Sequence, residues 1–99
     1  MKTVQLKIVP LTVNGETGEL NYKAQLEAIL KTPSNLQGGA DYDEIRKSIR
    51  LLDILETANG EVKLEDADHE YLKARVMGAR YGVIDKVVQS FIEDVIQAK

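Results

Sequence analysis

Residues 41–68 read DYDEIRKSIRLLDILETANGEVKLEDAD, and they encode a helix, a short strand and the start of a second helix. Tyr42, Ile45, Ile49, Leu52 and Leu55 recur at spacings of three and four, which is one face of a helix. Leu51 and Ile54 widen that stripe toward its C-terminal half, as expected of a helix covered from more than one side. Asp41, followed three residues on by Glu44, resembles a capping box with Asp in the Ser/Thr position. Asn59-Gly60 supplies the left-handed stop expected just past a helix end. Val62 and Leu64 then alternate with Glu61, Lys63 and Glu65, the period of a short strand able to pair with the N-terminal one. Glu65, Asp66 and Asp68 stand where the next helix begins, and carboxylates there are stabilised by the partial positive charge of its first turn.

On the N-terminal side, Val4, Leu6 and Ile8 alternate with polar residues, then the apolar phase switches to Val9, Leu11 and Val13. Pro10 sits at the switch and marks a bulge, a strand end or an edge position, because it has no N–H to donate. Asn14-Gly15 and Gly18 form a turn, with Leu20 and Tyr22 on a short return strand. Tyr22, Leu26, Ile29 and Leu30 outline a helix that Asn21 caps and Thr32-Pro33 ends. Residues 32–40 hold every breaker type and form a loop. Beyond Asp68 a helix runs through Tyr71, Leu72, Val76 and Met77 to Gly78 or Gly82. A last helix carries Ile84, Val87, Val88, Phe91, Ile92, Val95 and Ile96. The expected fold class is α+β: a small two- or three-stranded antiparallel sheet packed against about four helices, in one domain over residues 1–99.

Composition narrows the function. The 99 residues include no cysteine and one histidine, which excludes a thiol nucleophile, a disulfide framework and a multi-histidine metal centre. The balance of 13 basic and 16 acidic residues, net −3, argues against general nucleic-acid binding. No apolar run reaches a membrane span, and the expected location is the cytoplasm. Asp66-x-Asp68-x-Glu70 begins like an EF-hand loop, but Tyr71 replaces the required glycine and Met77 the bidentate glutamate. His69, flanked by acids and without a nucleophile motif, reads as a surface histidine in a first helical turn. Neither glycine-rich stretch has the lysine of a phosphate loop. No catalytic residue, cofactor or metal is therefore expected.

What remains is interaction. The last helix carries more apolar residues than one narrow stripe needs, which makes Phe91, Ile92, Val95 and Ile96, with Met77 nearby, candidates for contact with a protein partner or a second copy. An unpaired edge on the N-terminal strand would offer a second route, by strand addition. A second reading is an acidic regulator or inhibitor that sets Asp41, Asp43, Glu44, Glu61, Glu65, Asp66 and Asp68 against a basic groove. A third is a weak nucleic-acid-binding regulator using Arg46, Lys47 and Arg50, with Arg75 and Arg80 as a further basic pair.

The order of elements, from a leading strand ending at Asn14-Gly15 through a glycine-rich loop, a long aliphatic helix, Val62-Lys63-Leu64-Glu65-Asp66-Ala67-Asp68 and an apolar C-terminal helix, resembles small phage-encoded accessory proteins. The resemblance covers most of the chain and rests on order rather than on a diagnostic motif. It implies a non-enzymatic accessory or morphogenesis role, in the host cytoplasm or the virion, and carries over no catalytic residue.

Overall fold

The computed structural model describes residues 1–99. In chain order the elements are β1 (Lys2–Gln5), β2 (Ile8–Val13), β3 (Glu16–Asn21), α1 (Tyr22–Lys31), α2 (Tyr42–Thr57), β4 (Glu61–Leu64), α3 (Asp66–Gly78) and α4 (Lys86–Ile96). The fold is α+β. Its strands form two antiparallel pairs, β1 with β4 and β2 with β3.

Local chemistry explains most boundaries. Asn14 and Gly15 both take positive φ, 53° and 81°, the conformation of a two-residue hairpin turn whose twist matches its strands. The Asn21 side chain accepts from Ala24 N at 3.2 Å and starts α1. Asp41 does the same for α2, accepting from Glu44 N at 2.8 Å. Thr32, extended before Pro33, ends α1. Between α2 and β4, Gly60 has φ +79°, which a side chain would strain. The last helix is shorter than the apolar spacing predicts: Asp85 caps it by accepting from Val87 N, and Ile84 lies outside it, fully exposed.

The N-terminal strand breaks at Leu6-Lys7, where the chain leaves one sheet for the other, and not at Pro10. Pro10 lies inside β2 opposite Glu19. Counting back from the Val13–Glu16 pair that closes the turn, odd-numbered residues of β2 bond to β3, and the bond from Tyr22 N to Lys7 O, 2.9 Å, continues that alternation. Pro10 therefore turns its missing N–H to the free edge, at no loss to the ladder, and interrupts that edge as a template for strand addition. The outer edge of β1 is met at Thr3, whose N–H donates to Lys99 O at 2.8 Å. The free edges of the two N-terminal strands, β1 and β2, are thus blunted.

The helices close over the inner face of the β1–β4 pair, which contributes Val4, Val62 and Leu64. Tyr22, Leu26, Leu51, Leu55, Leu72 and Phe91 meet there. Phe91 sits edge-on to Tyr22, with centroids 4.9 Å apart and planes at 77°, the arrangement favoured by ring quadrupoles. The Tyr22 hydroxyl reaches out of the core to donate to Asp94 at 2.7 Å.

Candidate interaction surface

The structure rearranges the residues singled out from the sequence. Phe91 and Val95 are fully buried and form part of the core, so they are corrected from contact residues to packing residues. The reason is geometric: α4 packs across α3 and β1, and the spacing 88, 91, 95 meets both. Ile92 is half-buried against the core and Ile96 is half-buried, while Met77 is 64% exposed on the far end of α3.

The acidic residues are mostly answered within the fold. Asp43 pairs with Arg46 at 2.7 Å and Lys47 at 3.0 Å, and these two cations hold its carboxyl below the ordinary range. Asp68 binds Arg50 through both carboxylate oxygens at 3.1–3.2 Å, and that hydrogen bonding raises the arginine's pKa. Asp66 lies 3.8 Å from the terminal amine, Asp41 is the α2 cap, and Glu61 accepts from Gln5. Glu65 remains exposed. The same pairs occupy Arg46, Lys47 and Arg50, the basic group that would have to contact phosphates.

His69 and Arg75 are corrected more sharply, since both are buried. His69 Nε2 stands 2.7 Å from Val95 O, and because a carbonyl only accepts, this nitrogen carries the proton. It ties the first turn of α3 to the end of α4. Arg75 donates to Ile29 O at 2.7 Å and to Thr32 O, and its other terminal nitrogen is 3.6 Å from Glu44. Glu44 in turn accepts from Ser34 N and Ser34 Oγ, so the expected reciprocal half of the capping box is absent. Ser48, also buried, donates to Tyr71, whose own proton goes to Glu44 O at 3.2 Å.

These contacts fix the rotation of α2. Its inward face is Glu44, Ser48, Leu51 and Leu55; the expected stripe holds for Leu51 and Leu55, but its first half, Tyr42, Ile45 and Ile49, lies to one side of that face. Tyr42 is 78%, Ile45 46% and Ile49 50% exposed. With half-buried Leu52 they occupy alternating three- and four-residue steps, the seam of a helix that packs on another helix. Of the apolar residues expected to be covered on α2, Tyr42, Ile45 and Ile49 are therefore exposed, and Leu51 and Leu55 are core. The signal that separates the two faces is Ser48 and Glu44, polar residues in register with Leu51 and Leu55 and needing buried partners.

No protein-family model, curated protein or solved structure matches this chain. No helix is long and apolar enough to cross a membrane.

Proposed function

We propose that this chain is a non-catalytic interaction module that pairs with a second copy of itself through the exposed face of α2. The observation that carries the reading is the stripe of Tyr42, Ile45 and Ile49 left uncovered on a helix otherwise anchored in the core. Charge along the helix favours self-pairing. Arg46 lies in the first half of α2, paired there only with Asp43 at an exposed and therefore weak contact, and Asp53 and Glu56 lie in the second, so an antiparallel, two-fold arrangement centred near Ile49 sets Arg46 of each copy against acids of the other. A parallel arrangement would set like on like. The seam is short, and interfaces of that size give concentration-dependent rather than permanent dimers. In the setting implied by the resemblance to phage accessory proteins, such pairing serves assembly. The nucleic-acid reading is less well supported because acids outnumber bases 16 to 13, and the acidic-regulator reading because Asp68 is held by Arg50 and Asp41 caps α2.

Sedimentation equilibrium over a wide concentration range tests this. The expected result is a monomer–dimer equilibrium that Ile49→Arg abolishes with little change in melting temperature, since Ile49 is half exposed. Arg46→Asp weakens the dimer, and adding Asp53→Arg restores it. A monomer at every concentration would overturn the proposal, as would a dimer indifferent to Ile49→Arg.

A further inference from the structure

A cavity of about 650 Å³ opens between the end of α1, the loop that follows it and the end of α3. That volume lies within the roughly 300–1,000 Å³ of small-molecule sites. Its lining includes Arg75 and Arg80 and no carboxylate, in a chain where acids outnumber bases 16 to 13. Walls of one sign around a concave surface focus the field, so this is the place on the molecule suited to an anion.

Two features of the lining bear on what it would hold. Helix C-termini repel anions through their unsatisfied carbonyls, and α1 and α3 both end here. That repulsion is suppressed by donors already in place: Arg75 covers Ile29 O and Thr32 O, and Tyr81 donates to Val76 O at 2.9 Å. Donors are also left over. Arg75 is only 8% exposed, and its Nε, the one buried side-chain nitrogen or oxygen in the molecule without a hydrogen-bond partner, is sealed from solvent, so this residue contributes charge behind the wall. Arg80 is exposed and has no carboxylate within ion-pair distance. The Asn35 carbonyl oxygen is held by Gln37 N and Gly38 N at 3.1 and 2.9 Å, which leaves the Asn35 amide as a donor. Ile29 and Leu36 add an apolar wall.

We infer that this cavity binds a small organic oxyanion, a carboxylate or phosphate group held by Arg80 and the Asn35 amide over the buried Arg75 charge, with its apolar body against Ile29 and Leu36. Glu44, 3.6 Å from Arg75, is outside the lining and offsets part of the charge. Arg80 therefore supplies most of the attraction. This site is separate from the α2 seam and does not depend on it.

Proton–nitrogen correlation spectra of the full chain test the inference, since arginine Nε–H groups give their own signals. The protein is titrated with inorganic phosphate and with butyrate, each against sodium chloride at equal ionic strength. The expected result is a saturable shift of the Arg75 and Arg80 Nε–H signals and of the backbone amides of residues 34–37 and 79–80. The anion that saturates at lower concentration identifies the preferred group. Arg80→Gln, at an exposed position, weakens binding at least about tenfold, the loss of one charge-assisted contact. Asn35→Asp keeps the turn acceptor but puts a carboxylate in the lining, and weakens binding likewise. Shifts that follow ionic strength alone, shifts centred on Arg46 and Lys47, or unchanged binding in Arg80→Gln would overturn it.

Discussion

Replacing Arg75 with methionine keeps the length and much of the volume of the side chain but removes its donors and its charge. Three consequences follow from the contacts. Ile29 O loses the 2.7 Å bond but keeps Thr32 N at 3.2 Å, so it remains partly satisfied. Thr32 O loses its donor. Glu44, whose side chain is only 16% exposed, loses its cation and keeps Ser34. Hydrogen bonds from a charged donor contribute about 1.5–3 kcal/mol each, and removing one partner of a buried pair costs roughly 3–5 kcal/mol. The orphan Nε–H disappears with the arginine, which returns part of that loss, so about 3–4 kcal/mol is the expected net destabilisation. For a domain whose total stability is roughly 5–15 kcal/mol this is a large share. In urea, at a slope of about 1.5 kcal/mol per molar, the midpoint falls by roughly 2–3 M. Glu44→Gln added to Arg75→Met recovers part of the loss, because no carboxylate is then left unpaired. A single variant within about 1 kcal/mol of the parent, or strictly additive effects in the pair, would refute the view of Arg75 as the tie between α3 and the end of α1.

Phe91→Ala should cost roughly 3–5 kcal/mol in the same assay, because it empties a fully buried site between Tyr22 and Tyr81, while leaving the oligomeric state of the surviving folded protein unchanged. Loss of the proposed self-association without loss of stability would return Phe91 to the contact surface. Alkaline pH should destabilise the fold. Burial pushes the Tyr81 phenol up to about 12 from 10.0, and burial followed by the hydrogen bond to and charge of Asp94 raises Tyr22 as well. The unfolded chain releases these protons first, so the stabilisation is intact below pH 10 and declines from there toward the folded-state values. Urea midpoints at pH 8 and pH 11 check this, and Tyr22→Phe should flatten the dependence. Equal midpoints in the parent would contradict it.

Sequence made the elements legible where a few adjacent residues decide the outcome. Asn14-Gly15, Asn21, Asp41 and Thr32-Pro33 act within one turn of backbone, and each does what its chemistry dictates. Pro10 was legible as a bulge, a strand end or an edge position, of which the structure takes the last, but the break at Leu6-Lys7 was not legible, since it depends on which strand each half meets. The site was harder to read. His69 looked exposed because its neighbours in sequence are acidic, yet its environment is set by the end of α4, 26 residues away. Arg75 looked like a surface cation because nothing local reveals that the carbonyls of Ile29 and Thr32 wait opposite it. The excess of apolar residues on α4 was real, but α3 and β1 take up most of it.

The excess on α2 is of a different kind. Successive residues turn by about 100°, so Glu44, Ser48, Leu51 and Leu55 share one face and Tyr42, Ile45, Ile49 and Leu52 lie beside it. Turning the helix to bury Ile45 and Ile49 would gain about 1.5–3 kcal/mol for each, but it would expose Leu51 and Leu55 at a comparable loss. It would also detach Ser48 from Tyr71 and Glu44 from Arg75, leaving polar groups without partners. One rotation therefore wins clearly, and it leaves apolar side chains that the monomer has no means of covering. Stability of the isolated domain gives no reason for isoleucine at 45 and 49, where lysine or glutamate would serve the helix as well. Positions where local choice departs from the needs of the fold concentrate at functional sites, and the proposed pairing with a second α2 helix would remove the conflict without moving anything in the core.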